Sequence, residues 1–364
     1  MYDYVIAGSG LFACVFAHEA VKKGKKCLVI ERRDHIGGNI FTYEEDGINI
    51  HKYGAHIFHT SDKAVWDYVR QFARFNNFIN APIASYKGEI YNMPFNMNTF
   101  SRMWGISTPS QAKAIIEEQR KDVEPPIDNL EKQAVSLVGR DIFNKLVKGY
   151  TEKQWGRDCS QLPPEIIRRL PVRYTYDNNY FNDTYQGIPE GGYTQIAQKM
   201  LEGCDVELSC DFNKDRDHYR SIARNVLYTG ALDEYFDFSL GHLQYRSLRF
   251  ENERIGCDNW QGNAVVNYTD RETPYTRIIE HKHFEKGNSS PVTWISREYP
   301  VDYKETGEPY YPVNDSVNGS LYASYRTLAE KEGILIGGRL AQYAYFDMDK
   351  TVKEALSLAS RCIQ

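Results

Sequence analysis

The first thirty residues constrain the fold more than any other part of the chain. Tyr4-Val5-Ile6-Ala7 is a short apolar run and Gly8-Ser9-Gly10 a turn. From Leu11 onward, Leu11, Val15, Ala17 and Val21 recur at helical spacing. Lys22 to Lys26, with Gly24 among them, close the helix, where cations suit the negative end of its dipole. Cys27 to Ile30 reads as a second buried strand. Two parallel strands joined by a crossover helix commit the chain to a sheet covered by helices.

The turn itself carries chemistry. Gly8-Ser9-Gly10-Leu11-Phe12-Ala13 has the pattern GxGxxA. The first glycine makes the tight turn, the second lets the backbone approach a pyrophosphate, and Ala13 keeps helix and strand close. The helix N-terminus offers free N–H groups to phosphate. Glu31 ends the second strand, where an acid accepts hydrogen bonds from the adenosine ribose and disfavours a 2′-phosphate. Asp34-His35-Ile36-Gly37-Gly38-Asn39 follows directly. This second glycine pair resembles the extended fingerprint of two-dinucleotide-binding-domain flavoproteins and points to FAD rather than NAD. Gly337-Gly338-Arg339 is expected to return the chain to the flavin, with Asp347 and Met348 at a helix N-terminus near the isoalloxazine or ribityl chain.

The remainder is divided by composition. The chain has 364 residues, enough for two or three packed units. Residues 62–75, 109–123 and 128–149 have helical spacing, broken by Pro125-Pro126, and Pro163-Pro164 opens a short helix ending before Pro171. Tyr245 to Phe250 and Ala264 to Tyr268 alternate as antiparallel strands do. A net charge of −5 without a basic run argues against nucleic acid. No apolar stretch is long enough to enter a membrane as a span. The N-terminus runs straight into a strand without a basic leader, so a cytoplasmic location is expected. The seven cysteines are scattered and odd in number, which argues against a disulfide framework and leaves most of them as small buried hydrophobes.

Three histidines, His51, His56 and His59, lie close together, without the Cys ligands or HExxH spacing that would argue for a metal. His281 and His283 read as one face of a strand. Arg168, Arg169 and Arg173 adjoin an aromatic stretch from Tyr174 to Phe181, and Arg277 stands apart. Guanidinium groups bind diphosphate bidentately, and aromatic rings stack on a nucleobase. Tyrosine occurs 27 times and clusters, and Tyr310-Tyr311 and Tyr345 add to the aromatic stretch beside these arginines. Trp155 reads as an exposed aromatic in a glycine-bounded loop. No GxSxG or catalytic-cysteine signature appears, so a flavin would carry the chemistry.

Longer motifs carry a family resemblance across nearly the whole chain. They are Tyr53-Gly54-Ala55-His56-Ile57-Phe58-His59-Thr60, Lys148-Gly149-Tyr150-Thr151-Glu152-Lys153-Gln154-Trp155-Gly156, Arg169-Leu170-Pro171-Val172-Arg173, Asp177-Asn178-Asn179-Tyr180-Phe181, Pro274-Tyr275-Thr276-Arg277 and Pro309-Tyr310-Tyr311-Pro312. In these the chain resembles the prokaryotic UDP-galactopyranose mutases. The resemblance implies an α/β fold of three parts: a discontinuous Rossmann-like FAD-binding domain (1–75, 186–240 and 315–364), a helical-bundle domain (92–172) and an antiparallel β-sheet domain (76–91, 173–185 and 241–314). It implies an isomerase that contracts UDP-galactopyranose to UDP-galactofuranose, with reduced FAD acting through N5 as nucleophile and no net redox change. It also implies an external reductant (NAD(P)H or a reductase) and a homodimer.

Residue by residue, the resemblance places Arg169, Arg277 and His59 in catalysis, the arginines on the diphosphate and His59 by the flavin N5 edge. It places Asn80, Tyr150, Thr151, Trp155, Tyr180, Asn267, Tyr311 and Tyr345 on the UDP-sugar, with Tyr180 stacked on uracil. Around FAD it places Gly8, Ser9, Gly10, Leu11, Phe12, Glu31, Arg32, Gly38, Asn39, His56, Ile57, Arg246, Arg339, Tyr345, Asp347 and Met348. Leu146 stands where some members carry an aromatic residue near the uracil. The sugar stays open between galactose and its 2-acetamido analogue. The FAD corner alone would equally serve a flavin oxidoreductase of the amine-oxidase type.

Overall fold

The structure is a computed structural model that describes residues 1–167 and 170–363. Tyr2–Ala7 forms the centre of a five-stranded parallel sheet in the order Leu335–Ile336, Ala223–Tyr228, Tyr2–Ala7, Cys27–Ile30, Asp205–Glu207. Its side chains alternate between two cores. Tyr4 and Ile6 pack with the Leu11–Lys22 and Met348–Cys362 helices, through Cys14, Phe16, Val352 and Ala355. Val5 and Ala7 pack on the other face with Tyr228, Tyr235 and Tyr325. A strand buried on both faces must be apolar, as the buried stretch Tyr4–Ala7 is.

The second sheet has seven strands in the order Tyr311–Pro312, Tyr245–Ile255, Thr293–Asp302, Arg277–Glu280, Val265–Tyr268, Ile83–Tyr86, Glu89–Asn92. It is not wholly antiparallel, as expected from the sequence, because Ile83–Tyr86 runs parallel to Val265–Tyr268. Residues 83–92 form a hairpin over the tight turn at Lys87-Gly88, both at positive φ, and its Ile83–Tyr86 strand joins the sheet edge in the same direction as Val265–Tyr268.

The helical unit packs Met97–Trp104, Pro109–Gln119 and Leu130–Val138 around Phe100, Ile116, Ala134 and Phe143. Asn96 and Thr108 start the first two with capping boxes, satisfying backbone donors at each end. The helical pattern over 128–149 is interrupted at Gly139, which sits at φ 81°. Beyond it, a wide turn of π-helix over Phe143–Lys148 leads into the Gly149–Trp155 helix. Such turns are frequent next to functional sites. The 62–75 segment is helical only over Lys63–Val69. All seven cysteines are free; Cys14, Cys27 and Cys159 are buried and the other four only partly so, fewer buried than expected. Among the described residues no helix is long and apolar enough to cross a membrane.

Candidate functional site

A long cleft runs over the ends of the parallel strands. The glycine turn forms its middle. Gly8 is at φ 100°, and a Cβ there would lie 2.3 Å from Thr229 Oγ1. The second glycine pair packs on the first: Gly37 N donates to Ser9 O at 3.0 Å, and a Cβ on Gly38 would lie 2.8 Å from Gly10 Cα. The Leu11–Lys22 helix begins at Gly10 with no side-chain cap. Its first N–H groups therefore stay open to an anion.

Glu31 anchors this turn. Its Oε2 accepts from Ser9 N (2.9 Å) and Ser9 Oγ (2.6 Å), and its Oε1 accepts from Arg33 N at 2.9 Å. Oε2 has both lone pairs engaged by Ser9, while Oε1 keeps one to accept from a ribose hydroxyl.

Of the expected cofactor residues, Gly8, Ser9, Gly10, Leu11, Phe12, Glu31, Arg32, Gly38, Asn39, His56, Arg339 and Met348 line the cleft. Ile57 is buried behind His56, in the core. Arg246 lies elsewhere: its Nε donates to Gln154 O at 3.1 Å and its strand position pairs with Tyr311. The far end of the cleft was not foreseen. It is walled by Phe212, Asn213, Tyr228 and Glu234, the last 3.8 Å from Arg32. Phe212 and Asn213 precede the Ala223–Tyr228 strand, Tyr228 ends it and Glu234 follows it, and only the sheet order brings them beside Glu31.

Beyond Arg339 the cleft opens toward a second group of side chains. Arg339 donates to Phe346 O at 3.0 Å and lies over the rings of Tyr311 and Tyr345, 5.5 and 5.3 Å from their centroids. Those two rings stack on each other at 5.7 Å. Arg277 Nη2 donates to the Tyr150 hydroxyl at 2.6 Å, and Nε lies 3.4 Å from Glu298 Oε1. Burial opposes the charge on Arg277, but the Glu298 carboxylate and then the Tyr150 hydroxyl outweigh it and hold its pKa above the usual value. Tyr180 is within electrostatic range of Tyr150, Arg277, Tyr345 and Asp347. Its pKa is raised first by burial and then by Tyr150, with Arg277 acting in the opposite direction.

The strands explain part of this convergence. Asn267 and Arg277 are direct partners across two antiparallel strands, and Arg277 pairs with Glu298 on its other side. Glu298 is buried and went unrecognised in the sequence, where it is one acid within an alternating strand. Tyr180 is held by its N–H on Asn80 O at 2.7 Å. Asn80 is itself buried behind that contact. Trp155 is not in a loop: it ends the Gly149–Trp155 helix, capped by Gly156 at φ 64°, and is half-buried. Thr151 is buried, roughly 100° around the helix from Tyr150. Asp347 caps the last helix by position but makes no side-chain cap, leaving its carboxylate toward Tyr180 and Tyr345. Arg169, the expected second half of the diphosphate clamp, lies outside the described residues.

The histidines separate into three environments. His59 stacks on Phe181 at 3.7 Å and its Nδ1 is 2.7 Å from Asp183 Oδ2, a carboxylate also held by Ser61. His56 Nδ1 lies 2.8 Å from Gly54 O, and burial followed by Arg339 pushes its pKa down to about 4. The ring is therefore neutral near pH 7, with Nδ1 the donor. His51 is buried deeper, stacked on Phe284, and its Nδ1 accepts from His56 N at 3.1 Å. His281 and His283 do not share a strand face, as expected, because Arg277–Glu280 ends before them and His281–Phe284 is a 3₁₀ turn. His281 turns inward to Ser296 Oγ at 2.6 Å, and His283 turns out to Glu280 at 3.1 Å.

The fold resembles solved structures of differing chemistry. One is a reduced UDP-galactopyranose mutase, with a TM-score of 0.74 at 15% identity over 99% of this chain and 95% of that one. Another is a putrescine oxidase variant, with a TM-score of 0.54 at 13% identity over 99% and 98%. Fold alone does not choose between them. Sequence does. The family profile described as UDP-galactopyranose mutase matches residues 145–345, and that for an NAD(P)-binding Rossmann-like domain matches 6–72. The chain belongs to the UDP-galactopyranose mutase family. A relative from Klebsiella pneumoniae named "Probable UDP-galactopyranose mutase" is 38% identical over 98% of this chain and 94% of its own. A dTDP-fucopyranose mutase from Escherichia coli is 34% identical over 100% and 99%. Membership in this mutase family makes the protein a flavin-dependent isomerase of nucleotide sugars.

Proposed function

We propose that this protein interconverts UDP-galactopyranose and UDP-galactofuranose, with FAD along the cleft and the UDP-sugar in the pocket around Arg277. The observation that carries this reading is the adjacency of the two sites. Arg339 lines the cofactor cleft and at the same time lies over Tyr311 and Tyr345 of the substrate pocket. The cleft fits a dinucleotide, since Gly10 faces open space where a pyrophosphate can approach and the helix behind it begins uncapped.

When bound and reduced, FAD supplies an electron-rich nitrogen nucleophile for the anomeric carbon. The chain's residues do the rest. Arg277, oriented by Glu298 and Tyr150, binds the diphosphate and offsets the charge that grows on departing UDP. Arg169 supplies the second guanidinium. Tyr180 stacks on uracil and Asn267 meets the nucleotide. Tyr311 and Tyr345 donate to phosphate oxygens; burial pushes the Tyr311 hydroxyl up, so it stays a protonated donor. Neutral His56 presents Nε2 as an acceptor on the cofactor side, while His59, braced by Asp183, flanks the reacting centre. The reductant is external, and the working form is a cytoplasmic homodimer.

Incubating the protein and dithionite with UDP-galactose, UDP-N-acetylgalactosamine or dTDP-fucopyranose, and separating the products chromatographically, tests this reading. An isomeric product from UDP-galactose is expected. Conversion of dTDP-fucopyranose alone would reassign the substrate, and turnover of an amine with oxygen consumption would favour an oxidoreductase.

A further inference from the structure

Lys153 is one turn along its helix from Tyr150, so both face the same neighbour. Its half-buried ammonium donates to three main-chain carbonyls, Tyr268 O at 2.8 Å, Thr273 O at 3.0 Å and Tyr275 O at 3.0 Å. An ammonium has three N–H groups, and all three are used. These carbonyls belong to the loop joining Val265–Tyr268 to Arg277–Glu280. Asn267 and Arg277 stand at its two feet.

We infer that Lys153 is a positioning residue: by clasping both ends of this loop, it sets the Arg277 guanidinium against the substrate diphosphate. The inference rests on the proposed mutase reading. Tyr268 N also donates to Thr276 O at 2.8 Å and ties the two feet to each other, whereas the Lys153 bonds tie both feet to the Tyr150 helix. The helix backbone lies directly on the loop, since a Cβ on Gly149 would come 2.5 Å from Thr269 O. That contact fixes distance but has no direction. The Arg271–Glu152 pair, at 3.7 Å, is exposed on the arginine side and holds little.

The charge on Lys153 is balanced between its surroundings. Burial pushes its pKa down to about 8, while Asp270 and Glu272 of the loop favour the charged form. Neither carboxylate replaces a carbonyl contact. Asp270 is engaged within the loop, accepting from Thr273 N at 2.7 Å and Thr273 Oγ1 at 3.0 Å, and Glu272 pairs with Lys87 at 2.9 Å. A planar guanidinium cannot meet three carbonyls converging on one point, so Arg is not an equivalent.

The test is a double-mutant cycle read by UDP binding to the flavin-loaded protein, using calorimetry, and by turnover of UDP-galactose. Lys153→Met keeps the length of the side chain without its donors. It is expected to keep its flavin content and unfolding temperature, and to weaken UDP binding and lower kcat, each roughly tenfold. In an Arg277→Lys background the same change is expected to cost less than about twofold, because the group it positions is already gone. Wild-type UDP affinity in Lys153→Met, or penalties that multiply in the double variant, would overturn the inference. So would loss of flavin or a large drop in unfolding temperature, which would make Lys153 a support of the fold. Failure of the wild-type protein to bind UDP would instead sink the mutase reading.

Discussion

The Tyr150 hydroxyl takes a 2.6 Å hydrogen bond from Arg277, joining the end of the helical unit to the middle of the seven-stranded sheet. Two parts of the chain over a hundred residues apart therefore set one guanidinium.

Removing that bond has a definite expected cost. Tyr150→Phe should lower kcat/KM for UDP-galactose by roughly tenfold, about 1.4 kcal/mol, because a charge-assisted bond is lost at a half-buried group. Arg277→Lys should cost more, on the order of a hundredfold, since a point charge cannot reproduce the fork. Steady-state kinetics on the reduced enzyme check both; full activity in Arg277→Lys would show that the clamp is misassigned. Arg169→Lys should behave similarly.

The glycine turn gives a prediction about the cofactor. Gly38→Ala places a methyl 2.8 Å from Gly10 Cα at φ 54°, which only a shift of the second loop can relieve. The purified variant should carry little flavin by visible absorbance, while its far-ultraviolet circular dichroism stays that of the parent. Stoichiometric flavin in Gly38→Ala would mean that the two loops need not touch.

Arg173 offers a third test. Its guanidinium donates to the carbonyls of Asn179, Tyr180 and Phe181, three in succession, and to the Asn182 side chain. Arg173→Gln should release this loop and weaken UDP binding by about tenfold, since Tyr180 loses its fixed place. Flavin affinity should not change. Equal loss of UDP and flavin binding would point to general unfolding instead.

Acid sensitivity should begin in the histidine range. Burial pushes His281 down to about 3 and His56 to about 4. Both are below the unfolded value of about 6.5. The unfolded chain therefore binds these protons first. Stability is full above about pH 6.5 and falls as pH drops toward the folded values, by about 1.4 kcal/mol per pH unit for each histidine. Glu280, lowered to about 2 despite burial by its bonds to His283 and the Gln261 and Trp260 N–H groups, adds its loss only below the carboxylate range. Urea midpoints between pH 7.5 and 5 should decline, and His281→Asn should flatten the slope. A flat profile over this interval would contradict the buried, neutral state of these rings.

What could be read from the sequence follows the range of the interactions involved. The Gly8–Gly10 turn, its helix and Glu31 are set by neighbours within thirty residues, so local pattern suffices. Trp155 and His281 were placed in the wrong kind of element because each sits at a boundary. Gly156 caps a helix where it also reads as a loop end, and the strand before His281 stops one residue early. Glu298, Lys153 and Asp183 escaped notice because their partners are Arg277, the 268–275 carbonyls and His59, distant in sequence. A carbonyl cage in particular leaves no side-chain signature. The parallel joint at Ile83–Tyr86 was missed for the same reason, since a hairpin's own pattern does not say which edge it will join.

That joint bears on how the molecule is made. Ile83–Tyr86 can find Val265–Tyr268 only after some 180 further residues have been synthesised, and Tyr2–Ala7 waits longer still for Ala223–Tyr228. Pairings so distant are slow to form. A nascent chain that has emerged as far as Tyr180 thus has its glycine turn and the Tyr180 ring but neither sheet closed. Both binding sites would be acquired together, late, as the last third of the polypeptide leaves the ribosome.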